Sequence, residues 1–225
     1  MIKPVLFVLP LFILIFSMKS FSQTFEVKAG INLSTMLSKS DIETYSKEYQ
    51  MVPRLLLGAT AELPLSELFS FETGLLFSSK GYKLDTYYPV PNYEGEYLPI
   101  YENRTLNYFE IPLSIRMSSK FKNLPILFIL GPYVGVGLNE NSTISEYNWE
   151  KEVSEKKSYS NRMGKDSSWK RLDYGLQAGI GMEIQRIVMR LNYSYGLANI
   201  TQVSEIKSGN RIIGLSLGYK FDLKR

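Results

Sequence analysis

Apolar and polar residues alternate one by one through GMEIQRIVMRLNYSYGL, the stretch from Gly181 to Leu197. Met182, Ile184, Ile187, Met189, Leu191, Tyr193, Tyr195 and Leu197 share one side, and Glu183, Arg190, Asn192, Ser194 and Gly196 share the other. A period of two belongs to an extended strand with two unlike faces. The break of phase at Gln185-Arg186 is what a two-residue hairpin turn produces. Pairing across that turn sets Ile184 against Ile187, Met182 against Met189, Ile180 against Leu191 and Ala178 against Tyr193. On the other face Glu183 meets Val188 and Gly181 meets Arg190. A slip of one residue would send every large apolar side chain to the wrong face, so the register is tightly specified.

The same pattern recurs along the chain. Strand-like segments span 24–36, 52–63, 68–81, 105–118, 125–138, 171–184, 187–199 and 210–222, with weaker alternation in the fifth. No stretch keeps a helical period. Each of these eight segments is about 11–14 residues, long enough to cross a bilayer when tilted. Three of the links are short (PLSE, SKFKNL and QR), and they alternate with links of about 15, 23, 31 and 10 residues. In an up-and-down barrel, alternate links share an end. All short turns therefore gather at one rim and all long loops at the other, the layout of an outer-membrane barrel with short periplasmic turns and long extracellular loops.

Alternation alone does not say which face looks inward; residue size does. The polar face carries Gly30, Gly58, Gly74, Gly175, Gly179, Gly181, Gly196, Gly214 and Gly218 with Ser and Asn. Small residues suit the concave side of a narrow eight-stranded barrel, whose interior side chains just fill it. The bulky Phe, Ile, Leu, Met and Tyr of the other face suit a convex surface in lipid. The polar face also holds Glu26, Lys28, Arg54, Glu62, Glu72, Lys80, Glu110, Arg116, Asp173, Glu183, Arg190 and Lys220. Buried charges need partners, so these twelve are expected to form a structural charge network in the lumen. Phe25, Phe69, Phe71, Tyr219 and Phe221 are expected at the periplasmic rim, and Phe109, Tyr195 and Tyr82 at the outer one, as aromatic girdles. Pro112 and Pro132 fall inside strands, where a missing N–H predicts bulges or bends.

The expectation is an all-β fold, an eight-stranded antiparallel up-and-down transmembrane β-barrel over residues 23–225, behind a cleaved signal peptide over residues 1–22. That leader reads MIKPVLFVLPLFILIFSMKSFS. Lys3 supplies a basic start, Val5–Phe16 an apolar run too short to span, and Ser20 and Ser22 the small residues before cleavage at Gln23. No Cys follows, so lipid attachment at that point is excluded. The mature protein is expected in the outer membrane, surrounded by its lipid.

The chain contains no Cys and no His. Disulfides, thiolate metal sites and His-dependent catalysis are thereby excluded. The net charge of +4 is dispersed among acids without a basic stripe, which argues against nucleic acid as a partner. Asp173 and Glu183 read as ion-paired lumen groups rather than a catalytic pair. The expected protein is thus not an enzyme and needs no cofactor or metal. Eight strands leave no room for a wide pore.

The segments YFEIPLSIRM, LGPYVGVGL, DYGLQAGIGMEI, RLNYSYGLANI and IGLSLGYKF, with a leader ending in SFSQ, resemble the outer-membrane β-barrel proteins of Bacteroidetes called the PorT family. The likeness covers most of residues 23–223. It departs at the end, where Phe221 is followed by Asp-Leu-Lys-Arg instead of closing the chain. The resemblance implies the fold and the location. It also implies an alternative role as an accessory or assembly factor of a type IX-like secretion system. The reading preferred from the residues is a small non-enzymatic barrel with a structural or surface-binding role. A protein partner would be met through the extracellular loops or the periplasmic turns. The loop at 82–104 is rich in Tyr and Pro, and the loop at 139–169 is charged in both senses and expected to be solvated. Tyr87, Tyr88, Tyr93, Tyr97, Trp149 and Trp169 are the candidate binding residues there, since such side chains give large, rigid, amphipathic contact area.

Overall fold

The computed structural model describes residues 24–40, 44, 48–89, 97–121, 124–148, 153–165 and 167–222; the leader lies outside them. Among the described residues ten strands follow one another: β1 (Thr24–Lys39), β2 (Tyr49–Gln50), β3 (Val52–Pro64), β4 (Phe69–Pro89), β5 (Tyr97–Phe121), β6 (Leu124–Asn148), β7 (Val153–Arg162), β8 (Leu172–Ile184), β9 (Ile187–Gly196) and β10 (Lys207–Asp222). Every pairing is antiparallel. The ring runs β1–β3–β4–β5–β6–β8–β9–β10 and closes where β10 pairs with β1. Eight strands therefore make the barrel, as the alternation requires. β2 pairs with β4 and β7 with β6, both outside the ring.

The hairpin of the opening stretch has the register read from its sequence. Ile184 faces Ile187, Met182 faces Met189 and Gly181 faces Arg190. Gln185 in the turn has φ 58°, the left-handed conformation that such a tight hairpin demands. The faces are inverted relative to a soluble sheet. Leu215 is 62% exposed and Leu191 50%, whereas Lys80 is fully buried and Arg190 is 2% exposed. The bulky residues point out of the ring and the charges point into it.

Several features differ from expectation. The ring strands do not stop where the apolar alternation fades. β4 and β5 stay paired up to Pro89↔Tyr97, and β6 continues as a hairpin with β7 from Asn139↔Arg162 to Asn148↔Val153. The segments 82–104 and 139–169, expected as loops, are thus largely strand. Above the apolar layer nothing requires one face to be apolar, so the period-two signal is lost while the hydrogen-bond ladder goes on.

Of the bulges or bends expected at the prolines, no bulge forms at either. Around Pro112 and Pro132 the ladders skip pairs but keep their register. β4–β5 passes from Thr73↔Leu113 to Leu76↔Glu110, and β5–β6 from Pro112↔Tyr133 to Ile115↔Leu130. A missing donor opens a gap without adding a residue. The register shift of β6 comes higher, between Asn107↔Asn139 and Tyr108↔Gly137, where Leu138 is the extra residue. It reverses the parity of β6: Tyr133, Gly135 and Gly137 are the buried positions below it, Glu140 and Ser142 above it.

The outward face has a visible upper edge. Phe109, Val134, Val136, Leu172 and Tyr195 are exposed apolar side chains below it. Directly above runs a row of polar contacts across four strands. Ser79 donates to Asn107 at 2.6 Å, Asn107 to Asn139 at 3.3 Å, Asn139 to Asn141 at 3.3 Å, and Ser160 to Asn141 at 2.7 Å. At the short-turn rim Phe25, Phe69, Tyr219 and Phe221 are exposed, and the last two stack edge to face at 4.8 Å. Tyr82, expected in the upper girdle, instead points inward and is buried. Its even number continues the inward parity of Glu72, Ser78 and Lys80, so alternation itself places it there.

Candidate functional site in the lumen and at the long-hairpin rim

Eleven of the twelve expected lumen charges meet in three clusters, stacked along the barrel axis. Nearest the short turns, Arg116 bonds Glu62 at 2.5 Å and pairs with Glu183. Lys220 reaches the same two carboxylates at 2.7 and 2.8 Å, and Ser70 donates to Glu62 at 2.6 Å. In the middle, Lys28 donates to Glu72 at 3.0 Å and lies 3.6 Å from Glu26. Arg190 reaches Glu72 at 2.7 Å and pairs with Glu26. Each of these two clusters matches two cations with two carboxylates, and the attraction between unlike charges offsets the large cost of removing them from water.

The third cluster lies toward the long hairpins. Lys80 donates to Asp173 at 2.7 Å and pairs with Glu110, and Asn210 donates to Asp173 at 2.9 Å. One cation here faces two carboxylates. The ammonium also lies 4.4 Å from the Tyr133 ring centre and 5.0 Å from that of Tyr108, an arrangement in which ring faces add to the attraction. Between this cluster and the middle one is a cavity of about 40 Å³, lined in part by Asn32, Ser78, Glu110, Pro112 and Gln177. It has room for water molecules but not for a solute. The gap left by Pro112 opens onto it.

Above the third cluster the lumen turns apolar. Met36, Tyr82, Leu106, Tyr108, Met163, Trp169, Ala198 and Ile200 form one buried cluster, with Tyr49 and Leu84 packed on it. These residues come from the ring and from the links on either side of β8 and β9, so the links fold over the opening as a lid. Backbone bonds hold them there: Lys170 N–H donates to Ile200 at 2.7 Å and Gln202 N–H to Ser168 at 2.8 Å. The Gln202 side chain also donates to the carbonyls of Gly164 and Ser167 at 2.5 and 2.7 Å.

A fourth charged group surrounds the lid. Arg104 donates to Glu102 at 2.6 Å, lies 3.4 Å from Glu140 and places its guanidinium 5.4 Å from the Trp169 ring. Tyr82 donates to Glu102 at 3.1 Å and Ser167 to Glu140 at 2.6 Å. None of Glu102, Arg104 and Glu140 is among the expected network residues. Glu102 and Arg104 share the even parity of Glu110 and Arg116 and were legible to anyone extending that strand. Glu140 was not, because the extra residue Leu138 reverses the parity of β6 before it.

Arg54 corrects the expected network. Its guanidinium donates to Asn103 at 2.6 Å and to the Arg104 carbonyl at 3.1 Å, and no carboxylate pairs with it among the described residues. It lies near the upper end of β3, above the paired clusters. Trp169 is a second correction. It is 7% exposed, inside the lid, and offers no free contact surface. Tyr87 is 70% exposed on the β4–β5 hairpin. Tyr88 and Tyr97 belong to that ladder by their backbones. Tyr93 and Trp149 lie outside the described residues.

No curated protein matches the chain. Among solved structures it is similar to Ail, the attachment invasion locus protein of Yersinia pestis, solved in complex with the heparin analogue sucrose octasulfate. That likeness has 14% identity, covers 89% of this chain and 99% of that one, and has a TM-score of 0.39. Neisserial surface protein A is similar at 10% identity, covering 87% of this chain and 96% of that one, with a TM-score of 0.39. OprG from Pseudomonas aeruginosa is similar at 11% identity, covering 89% and 97%, also with a TM-score of 0.39. Residues 21–202 match the family described as outer membrane protein beta-barrel domain. That span takes in most of the chain, which therefore belongs to this family and is an outer-membrane β-barrel protein.

Proposed function

We propose that this protein is a non-enzymatic, non-conducting barrel that holds two long hairpins above the outer membrane as a surface for binding a protein partner. The observation that supports it is the continuity of the ladders. β4–β5 and β6–β7 keep their pairing to Pro89↔Tyr97 and Asn148↔Val153, well beyond the apolar band. A hairpin paired along its described length leaves less ordering to be done on binding than a free loop requires. Tyr87 and half-buried Tyr101 lie on it, the latter 4.0 Å from the Lys156 ammonium of the neighbouring hairpin.

In this reading the long hairpins are extracellular and the short turns periplasmic. Residues 1–22 are removed and β1 begins almost at once, at Thr24. The chain has no native Cys, so single Cys variants report the orientation. Tyr93→Cys should react with a membrane-impermeant maleimide on intact cells, and Glu67→Cys only after lysis. The opposite pattern would invert the assignment. The mass of the purified protein should correspond to a chain starting at Gln23.

The likeness to the PorT family in YFEIPLSIRM, LGPYVGVGL and RLNYSYGLANI favours a second reading, an accessory of a type IX-like secretion system. Pull-down from solubilised outer membrane separates the two. Recovery of secretion components held through the periplasmic turns would favour the second, and a partner lost on trimming the hairpins would favour the first.

A further inference from the structure

The sheet forks at one point, and the fork leaves a notch in the outer wall. β6 is flanked by β8 up to Val136↔Leu172 and by β7 from Asn139↔Arg162 upward. Gly137 and the extra residue Leu138 fall between the two ladders, held only by single backbone bonds, from the Gly137 N–H to the Arg171 carbonyl at 2.6 Å and from the Met163 N–H to the Leu138 carbonyl at 3.3 Å. A cavity of about 410 Å³ occupies this gap, lined by Leu138, Asn139, Arg162, Met163 and Arg171. That volume lies within the range of small-molecule sites.

Two arginines border the notch, both exposed, and neither has a carboxylate partner among the described residues. Arg171 is partly fixed, because its Nε donates to the Gly137 carbonyl at 3.1 Å while the Gly137 N–H donates to the Arg171 carbonyl at 2.6 Å. Its terminal nitrogens are left to face a ligand. Of the other described arginines, Arg104, Arg116 and Arg190 pair with carboxylates, and Arg54 and Arg211 donate to amide or carbonyl oxygens. At the notch, the terminal guanidinium nitrogens of Arg162 and Arg171 have no acceptor among the described residues.

The position says where the acceptor comes from. Asn139 belongs to the polar row that ends the outward apolar band, and Leu172, next to Arg171, is an exposed apolar residue of that band. The notch thus opens sideways at the level where acyl chains give way to headgroups. Two guanidiniums recognise a phosphate by charge-assisted, geometrically matched hydrogen bonds. Leu138 and Met163 add apolar lining for the adjoining part of an amphiphile.

We infer that the fork between β7 and β8 is a binding site for a phosphomonoester, carried by the headgroup of an outer-leaflet glycolipid. The inference rests on the orientation proposed above, with the long hairpins outside. The phosphate chemistry itself does not depend on it.

The test uses the full mature barrel refolded in detergent. Native mass spectrometry reads the retention of bis-phosphorylated lipid A, of the same lipid stripped of phosphate, and of inorganic phosphate. The expected result is retention of the phosphorylated lipid, loss of the stripped one, and a drop of about tenfold or more in Arg162→Gln and again in Arg171→Gln. Arg162→Gln removes no side-chain bond among the described residues and so guards against misfolding in the other variant. Heat-modifiable gel migration checks that both are folded. Capture of inorganic phosphate as tightly as the lipid, lost in the same variants, would assign the site to a free anion and overturn the lipid source. Equal retention of phosphorylated and stripped lipid, or folded variants that bind like the parent, would overturn the site. Binding in detergent is indifferent to orientation. The maleimide pattern can therefore fail while this site stands, and the site can fail while that pattern holds.

Discussion

Arg190 shows what a single inward side chain does in this barrel. It is almost wholly enclosed and serves two carboxylates, Glu26 on β1 and Glu72 on β4. Arg190→Leu leaves a surplus of buried negative charge, and removing one partner of a buried ion pair costs about 3–5 kcal/mol. The expected outcome is a lowered midpoint of urea unfolding in detergent. Adding Glu72→Gln to Arg190→Leu should recover part of the loss, because it removes one of the stranded charges. A second position is set by backbone shape. Gly81 has φ +131°, and its N–H donates to the Ser34 hydroxyl at 2.9 Å. A Cβ added there would press against the Arg104 carbonyl carbon at 2.9 Å. Gly81→Ala should therefore destabilise by about 1–3 kcal/mol, measurable by the same unfolding series. A neutral result would mean that the strand relaxes at that point.

At the level of elements, the ring and its outgrowths separate cleanly. β7 pairs with β6 and lies outside the circuit of the barrel. Replacing residues 146–155 by a short turn should leave the heat-modifiable gel shift intact while abolishing any partner binding that uses this hairpin. Loss of the shift would show that the outgrowth is needed for folding. The sequence made the ring legible because each ring strand must present lipid on one face and a narrow lumen on the other, which forces alternation. Gly181 to Leu197 could be read to the exact pair for that reason. The outgrowths carry no such requirement, so Tyr97 to Glu102 and Asn139 to Arg162 read as loops although they are mostly strand. The inward role of Glu140 was hidden for a different reason: one extra residue, Leu138, shifts the count, and nothing local marks it. Trp169 looked like surface because its neighbours are polar. Its burial depends on the link after β9, far away in sequence, folding over it.

For the whole molecule, the interior is obstructed at several depths by different means: three charged clusters, then an apolar lid. Planar-bilayer recordings should show no large, stable conductance for the parent protein. Trp169→Ala should remain silent as well, because the clusters beneath the lid are untouched, even though truncating a buried Trp costs about 3–5 kcal/mol. Large openings in that variant alone would make the lid the sole barrier. The ion pairs also carry a message about assembly. Arg190 meets Glu26 across 164 positions of sequence, Lys220 meets Glu62 across 158, and Lys28 meets Glu72 across 44. Two of these three join strands near one end of the chain to strands near the other. A sheet that had entered the bilayer without sealing β1 to β10 would expose several lone charges to hydrocarbon, so half-finished barrels are strongly disfavoured. The lumen thereby ties the pairing of its charges to the closing of the last seam.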